Sequence, residues 1–342
     1  MGELRKDPIV ARWVIVDTDD PKVPGDFEKE EHSWRTDNCP FCYGNESLTP
    51  PEIEAIRDTR TKPNTPGWTV RVVPNKFPAL QIEGDLNRRG VGIFDMSNGI
   101  GAHEVIIETP YHDKNLPDLL DSEVENIIRM YCRRAVDLTK DNRFKYILLF
   151  KNYGPSAGAS LAHPHTQLIA LPMVPKNVAE EIKGSMDYFD FRERCIFCDI
   201  MHQEIQDRER LVLESEHFLV FCPFVSRFSF ETWIVPKRHN PYFCHVNNEE
   251  IIDLAKVLRQ TLGRIKTALS DPAYNFIIHT SPLLGDSDRE GGYHWHLEIM
   301  PKLVRTAGFE WGTGFYIVST PPELAAKFLR SATADTAKEQ IK

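Results

Sequence analysis

Apolar residues recur along this chain with two different periods, and each period predicts one kind of secondary structure. Short apolar or alternating stretches predict strands within 5–16 and at 70–75, 104–109, 146–150, 218–221, 232–235 and 275–279. Two longer stretches carry an apolar residue every three to four positions, which predicts amphipathic helices capped by Ser122 and Asn248. Further helices are expected near 177–190 and from Thr320 onward. The pattern therefore indicates a chain of mixed α and β structure.

Residues 163–172 carry a pattern found at few other places in the chain. His163, His165 and Gln167 alternate with other residues, and an apolar run that Pro172 ends follows them. On a strand this spacing places the three polar side chains on one face, with their Cα atoms roughly 6.5–7 Å apart. Just upstream, the small residues of 152–160 leave backbone N–H groups free to bind an anion. Histidines that are only buried and hydrogen-bonded are the structural alternative, but other parts of the chain supply partners for these side chains.

The order of the motifs repeats once along the chain. Each half has a C-x-x-C pair, a strand ending in P-x-H or P-x-x-H, a long helix, a strand and an H-x-H pair. Chance agreement of so many features in one order is improbable, so we predict a duplicated α+β unit. The expected domains are residues 1–190 and residues 191–342.

Composition narrows the class of protein. Of 342 residues, 41% are apolar and 27% are charged, which is typical of a soluble globular protein. The chain has no apolar run of about 18 residues, so we expect no membrane span. The first residues contain no apolar signal region, and a cytoplasmic protein is expected. The net charge of −9 argues against a nucleic-acid partner but is compatible with a small anionic substrate in a locally positive cleft.

Four of the seven cysteines form two C-x-x-C pairs, a spacing that indicates metal binding or redox chemistry in a reducing compartment. Neither pair is expected to open a helix after a strand, as a thioredoxin-like motif would, so we favour zinc. Four protein ligands make a closed site, which is typical of structural zinc. The two expected sets, one in each half, are Cys39, Cys42, His112 and His163, and Cys195, Cys198, His239 and His294. His103 is the rival of His112 for the third place in the first set.

If His163 binds zinc, His165 is free beside the anion-binding loop. A neutral imidazole can attack an α-phosphorus and carry the nucleotidyl group as a covalent intermediate. Gln167 can donate hydrogen bonds to the phosphoryl oxygens, but its amide cannot transfer a proton. A backbone carbonyl that accepts from Nδ1 would hold the tautomer of His165. The alternative is that His165 is a second metal ligand beside His163.

These residues carry a resemblance that extends over nearly the whole chain. The sequence resembles the galactose-1-phosphate uridylyltransferase branch of the histidine triad superfamily. The matching motifs are Cys39–Cys42 with Gly44 and Asn45, Pro110–His112, Ser160–Gln167 and His294–His296. The resemblance implies an α+β fold of two tandem histidine-triad-like units, each an antiparallel sheet with a long packed helix, in a homodimer.

The resemblance also implies a ping-pong reaction. A histidine that matches His165 takes UMP from UDP-glucose and passes it to a hexose 1-phosphate, with a glutamine that matches Gln167. The zinc set of the family matches the first set named above. Asn75, Asn152 and Ser160 match positions that contact the nucleotide and its phosphates, and Gly158 belongs to the same small-residue loop.

Some features depart from the uridylyltransferase pattern. Thr166 stands where a glycine is usual, and residues 308–314 do not match the hexose-binding segment. These departures and the second C-x-x-C are similar to a plant relative that acts as an ADP-glucose phosphorylase, in which phosphate accepts AMP. A histidine-triad hydrolase and a zinc-stabilised nucleotide-binding protein without turnover are the remaining hypotheses. In the second half Glu298 replaces the glutamine beside His296, so a degenerate site is expected there, and the role of His279 is open.

Overall fold

The structure is a computed structural model that describes residues 2–30, 38–283 and 291–333. Its strands are β1 Glu3–Lys6, β2 Trp13–Val16, β3 Glu54–Arg57, β4 Trp68–Pro74, β5 Arg89–Val91, β6 Phe94–Met96, β7 Ala102–Ile107, β8 Tyr146–Tyr153, β9 His165–Leu171, β10 Leu211–Glu214, β11 Phe218–Phe221, β12 Thr232–Pro236, β13 Tyr274–His279, β14 His296–Pro301 and β15 Tyr316–Val318. Its α-helices are α1 Asp121–Leu138, α2 Lys176–Arg192, α3 Ile196–Asp207, α4 Asn248–Leu269, α5 Gly308–Thr313 and α6 Pro322–Ser331.

A single ten-stranded antiparallel sheet joins the two halves of the chain, in the order β10-β11-β12-β14-β13-β8-β9-β7-β4-β3. The halves meet where β8 pairs with β13, with Phe150 opposite Ile277 and Asn152 opposite Asn275. Strand pairing across this boundary covers edges that each half would otherwise expose. The expected α+β fold of antiparallel sheet and long helices is confirmed, and the two sheets continue into each other.

The long helices α1 and α4 lie on one face of this sheet and pack against each other. The apolar stripe of α1 is buried there, including Val124, Ile127 and Tyr131, and the stripe of α4 is buried in the same cluster. Burying each large aliphatic side chain contributes roughly 1.5–3 kcal/mol relative to exposure. The helices therefore form one core shared by both halves.

The start of each long helix differs from the sequence prediction by one or two residues. In α1 the carboxylate of Glu123 accepts from the backbone N–H of Leu120 at 2.7 Å, so the cap lies before Ser122. In α4 the side chain of Asn247, not the following asparagine, accepts from the backbone N–H of Glu250 at 2.9 Å. The apolar stripe sets the buried face of a helix, whereas the cap depends on how the chain enters it.

The opposite face of the central sheet carries two smaller apolar clusters, and each contains one C-x-x-C pair. Strand alternation places Val105 and Ile107 on this face with Cys39 and Phe41, while Ile106 faces the helices. The second cluster holds Cys195, Phe197, Trp233 and Tyr293, among others. Both expected metal sets therefore lie on the face of the sheet opposite α1 and α4. In the part of the chain that the structure describes, no helix is both long and apolar enough to cross a membrane.

A second, three-stranded sheet links the two ends of the chain. Strand β2 pairs with β1 antiparallel and with β15 parallel, Ile15 lying opposite Ile317. Val14, Val16 and Val225 form its buried cluster. Strands β5 and β6 form a separate hairpin, whose side chains are exposed.

Candidate functional site

The four expected ligands of the first half come together. The ligand atoms of Cys39, Cys42, His112 and His163 all lie within 4.8 Å of one another. Sγ of Cys42 is 3.3 Å from Nδ1 of His112 and 3.5 Å from Nδ1 of His163. Sulfur and nitrogen ligands of one tetrahedral zinc ion stand about 3.6 Å apart, given Zn–S and Zn–N bonds of roughly 2.3 and 2.0 Å. The donor set and its spacing therefore fit zinc.

Local turn chemistry builds the cysteine pair of this site. The backbone N–H of Cys42 donates to the carbonyl of Cys39, and the side chain of Asn45 donates to the same carbonyl at 2.8 Å. Gly44 has a φ of +88°, a backbone conformation that residues with a Cβ seldom adopt. The turn thus brings the two sulfur atoms to one side.

His163 has a partner on each ring nitrogen. Its Nδ1 faces the cysteines, and its Nε2–H donates to the backbone carbonyl of Thr109 at 2.8 Å. A hydrogen bond of this kind orients a ligating imidazole and leaves the opposite nitrogen unprotonated for the metal. His103, the rival ligand, is not in this set.

The second half repeats the arrangement. The ligand atoms of Cys195, Cys198, His239 and His294 also lie within 4.8 Å of one another, and Sγ of Cys198 is 3.5 Å from Nδ1 of both histidines. Cys195 is the N-cap of α3, so this pair does open a helix, but helix α2 and not a strand precedes it. The set fits zinc by the same geometry.

His165 begins β9, whereas His163 lies just before the strand. His163 is thus outside the strand itself, but the rings of both histidines contact Phe41, with ring centroids 6.0 and 5.4 Å away, and both residues line one cavity. His163 joins the cysteines, and His165 is outside that set. Nδ1 of His165 lies 2.8 Å from the carbonyl oxygen of His163, as the sequence led us to expect. Since Nδ1–H donates there, Nε2 is the ring nitrogen with a free lone pair.

A cavity of about 380 Å³ lies in front of His165. Of the expected substrate-binding residues, Asn152 and Ser160 line it. Gly158 lies beside it, since a Cβ at this position would stand 3.8 Å from Nδ2 of Asn152. Asn75 and Gln167 do not line this cavity and form a neighbouring group, described below. The cavity thus presents an imidazole, an amide and a small-residue loop to one space.

A residue of the second half orients Asn152. Nδ2 of Asn275 donates to Oδ1 of Asn152 and to the carbonyl of Ala157, both at 2.8 Å. Because the amide oxygen of Asn152 is engaged, its NH₂ group is the part left for a ligand. The sequence analysis missed Asn275, since only the pairing of β8 with β13 makes the two asparagines neighbours.

Asn75 and Gln167 meet at His103. Nε2 of His103 lies 2.8 Å from Oε1 of Gln167 and 3.0 Å from Nδ2 of Asn75. The backbone N–H of Ala79 donates to Nδ1 of His103 at 3.2 Å. The histidine considered as a zinc ligand therefore contacts the expected catalytic glutamine.

The comparisons with known proteins agree with this arrangement. Residues 3–175 match the family model described as "Galactose-1-phosphate uridyl transferase, N-terminal domain", and residues 181–342 match the C-terminal domain of the same family. The chain belongs to the galactose-1-phosphate uridyl transferase family. The recognition made from its motifs is confirmed, and the chain is an enzyme of the nucleotidyltransferase type.

Individual members of the family match over nearly the full length of the chain. An ADP-glucose phosphorylase of Arabidopsis thaliana is 37% identical over 97% of this chain and 93% of its own length. A galactose-1-phosphate uridylyltransferase of Thermotoga maritima is 30% identical over 98% of this chain and 100% of its own. The crystal structure of the Arabidopsis thaliana phosphorylase with bound ADP-glucose has a TM-score of 0.83 at 35% identity, covering 97% of this chain and all of that one.

Beneath His165 this member of the galactose-1-phosphate uridyl transferase family has a buried ion pair. Nζ of Lys151 donates to Glu108 at 2.6 Å and to the carbonyl of His165 at 3.2 Å. Tyr131 and Thr166 also donate to Glu108, at 2.8 and 2.5 Å. Thr166, which replaces the usual glycine of the family, thus completes the hydrogen bonding of a buried carboxylate. Sequence reasoning recorded that departure but not its partner.

The surroundings of His165 favour its neutral form. Burial lowers the pKa of His165 and outweighs the hydrogen bond to His163, which raises it; the charges of Lys151 and Glu108 act in opposite directions, Lys151 lowering the pKa and Glu108 raising it. A neutral imidazole with Nδ1 protonated is the form that can act as a nucleophile through Nε2.

His296, the equivalent of His165 in the second half, is enclosed by other side chains. Nδ1 of His296 lies 3.1 Å from the carbonyl of His294, the counterpart of the bond at His165. However, His296 is fully buried, its ring lies between those of Trp233 and His279, and its Nε2 is 3.2 Å from a carboxylate oxygen of Glu181. A smaller cavity of about 210 Å³ nearby is lined by Glu181 and His279 but not by His296.

Glu181, His279 and His296 are a third group whose atoms could hold a cation. Sequence analysis missed it because Glu181 comes from α2 and was not part of any motif. Two carboxylates face His279: Glu181 lies 3.0 Å from its Nδ1 and Glu298 lies 3.2 Å from its Nε2. Burial alone would lower the pKa of His279, but these carboxylates outweigh burial and raise it to about 10. A protonated His279 is therefore paired with two carboxylates.

Proposed function

We propose that this chain transfers a nucleoside monophosphate from a nucleoside diphosphate hexose to a second acceptor through a covalent intermediate on His165. One observation carries the proposal: His165 is kept off the metal set, is held through Nδ1, and lines a cavity. The same geometry argues against a purely structural histidine, which would use both of its ring nitrogens.

In the first step the lone pair of Nε2 forms a bond to the α-phosphorus of the donor. The bond from that phosphorus to the bridging oxygen breaks, and hexose 1-phosphate leaves with the electron pair. In the second step an acceptor oxygen attacks the same phosphorus, and the bond from phosphorus to Nε2 breaks. Because the leaving group is a phosphate oxyanion, no strong general acid is needed at Gln167. Hydrogen bonds from the amides of Asn152 and Gln167 would stabilise the phosphoryl oxygens.

Two donor and acceptor pairs are compatible with this chemistry. The first is UDP-glucose with a hexose 1-phosphate, the pair expected from the family motifs. The second is ADP-glucose with inorganic phosphate, which the 37% identity to the Arabidopsis thaliana phosphorylase favours over the 30% identity to the Thermotoga maritima uridylyltransferase. The presence of Thr166 and of a second cysteine pair also agrees with the second assignment.

We further propose that both Cys₂His₂ sets bind structural zinc, because four protein ligands leave no open coordination position. The first set, Cys39, Cys42, His112 and His163, would pin the segment around Cys39 to the strand that carries His165. The second set, Cys195, Cys198, His239 and His294, would hold α3 against the second half.

The assembly and location are proposed on surface properties. Ile93 is 91% exposed and Trp311 is 79% exposed, and Val91 and Phe94 add further exposed apolar surface to the β5–β6 hairpin. Such surface supports a homodimer, which sedimentation analysis would test.

Unpaired cysteine ligands suit the reducing cytoplasm, and the net charge of −9 offers little attraction for nucleic acid. We retain residues 1–190 and 191–342 as the proposed domains.

The proposed function is tested with UDP-glucose and ADP-glucose that carry a label on the α-phosphate. We expect one of them to label the protein with an acid-labile phosphoramidate. The label should be absent in His165→Asn, whose amide can replace the Nδ1 donor but offers no nucleophile, and should persist in His296→Asn. Adding hexose 1-phosphate or inorganic phosphate should then remove the label and identify the acceptor. Label that persists in His165→Asn would place the nucleophile elsewhere.

A further inference from the structure

His103 lies diagonally across from Gln167 on neighbouring strands. In the pairing of β7 with β9, Val105 is opposite Gln167 and His103 is opposite Ile169. Diagonal neighbours on one face are within reach of long side chains. The 2.8 Å contact of Nε2 of His103 with Oε1 of Gln167 uses this proximity.

The tautomer of His103 follows from its three contacts. The backbone N–H of Ala79 can only donate, so Nδ1 of His103 must be the acceptor and Nε2 must carry the proton. Nε2–H then donates to Oε1 of Gln167. The opposite tautomer would place two N–H groups against each other at Ala79 and two lone pairs against each other at Gln167. Each net hydrogen bond contributes about 0.5–1.5 kcal/mol, and the first tautomer makes two of them where the second makes at most the one from Asn75.

This tautomer has a consequence for both amides. The oxygen of Gln167 is engaged, so its NH₂ group is directed away from His103. The oxygen of Asn75 accepts from the backbone N–H of Phe77 at 2.9 Å, and its NH₂ group meets the protonated Nε2 of His103, which cannot accept. Both amides are therefore left with hydrogen-bond donors for another acceptor, such as the oxygens of a phosphoryl group.

We propose that His103 is a positioning residue that holds Gln167 with its NH₂ group toward the phosphoryl group transferred to His165. This role rests on the proposed function. An amide without such a partner can rotate by half a turn. Its oxygen would then face the phosphoryl oxygens and repel them. Misplacing a group that contacts the reacting centre can cost up to about 100-fold in rate. His103 lies outside the metal set, so its loss should leave zinc binding unchanged.

The experiment measures the rate of label transfer to His165 in four variants. His103→Leu removes the donor, and we expect transfer to slow by up to about 100-fold with little change in the KM for the nucleotide sugar. His103→Gln can place an amide N–H where Nε2–H stood, and it should restore most of the rate. In a Gln167→Ala background, His103→Leu should cause little further loss, because two residues that act through one contact are not additive.

The outcomes separate this inference from the proposed function. A wild-type protein that takes no label from either nucleotide sugar would overturn the proposed function and the role of His103 with it. If the wild-type protein is labelled but the rate losses of His103→Leu and Gln167→Ala add fully in the double variant, only the role of His103 is overturned. A His103→Gln protein as slow as His103→Leu, while its thermal midpoint matches that of the wild type, would overturn that role as well.

Discussion

The carbonyl oxygen of His163 lies 2.8 Å from Nδ1 of His165, so one residue of the metal set also orients the proposed nucleophile. His163 is fully buried and has its own ring held by Thr109 on one side and by the cysteines on the other. The contacts that hold His163 in place therefore also fix the carbonyl that accepts from Nδ1 of His165, and with it the tautomer of His165. We therefore expect the proposed zinc of the first set to matter more to activity than that of the second set.

Zinc content should report two independent sites. We expect two zinc ions per wild-type chain and one in either Cys39→Ser or Cys195→Ser, because each closed site needs all four ligands. Label transfer should fall strongly in Cys39→Ser and much less in Cys195→Ser. Elemental analysis and the labelling assay measure the two effects. Cys132→Ser, which changes a cysteine outside both sets, is the control and should keep both ions.

The ion pair of Lys151 and Glu108 should be costly to break. Both side chains are almost fully buried, so Lys151→Met leaves an unpaired carboxylate in the core. We expect the free energy of unfolding to fall by about 3–5 kcal/mol in urea titrations. The double variant Lys151→Met, Glu108→Gln should recover part of this loss, because it removes the uncompensated charge. A single variant as stable as the wild type would contradict the prediction.

Asn275 should influence chemistry in the other half of the chain. In Asn275→Leu the amide oxygen of Asn152 loses its donor and the loop carbonyl of Ala157 loses another. We expect the binding free energy of the nucleotide sugar to weaken by about 1–3 kcal/mol, because Asn152 loses its orientation and polar groups are left unpaired. Calorimetry measures this change. Asn275→Asp, which keeps the size of the side chain but removes the donor, should behave like Asn275→Leu. Unchanged affinity in both variants would exclude the positioning role.

The stability contributed by His279 should depend on pH. Its pKa is raised to about 10 by Glu298 and Glu181 despite burial, from an ordinary value of about 6.5. A group whose pKa is raised in the folded state stabilises that state fully below about pH 6.5, its unfolded pKa. This contribution is lost as the pH rises toward 10. The difference in unfolding free energy between the wild type and His279→Gln should therefore shrink from pH 6 to pH 9.5. The exposed His202→Gln is the control.

A bound cation would change that outcome. An ion held by Glu181, His279 and His296 requires a neutral His279, because a protonated imidazole has no lone pair for a metal. The stability difference would then not decline over this pH range, and elemental analysis would show a third ion per chain.

The sequence alone determined most of what is local. Periods of apolar residues predicted the long helices and the main strands, because an amphipathic helix or strand needs only its own residues to define a buried face. The C-x-x-C and H-x-H spacings predicted both metal sets, whose four atoms the structure does bring together. They also predicted that His165 would be held through Nδ1. The exact helix caps were less accurate, since they depend on the path of the preceding loop.

Only the tertiary structure decided which distant residues support the site. The pairing of β8 with β13 makes one sheet of two halves and gives Asn152 its partner Asn275. The register of β7 on β9 places His103 beside Gln167 and not among the metal ligands. The position of α2 brings Glu181 next to His296. No local period encodes these contacts, because strand register and helix docking are set by the packing of the whole core.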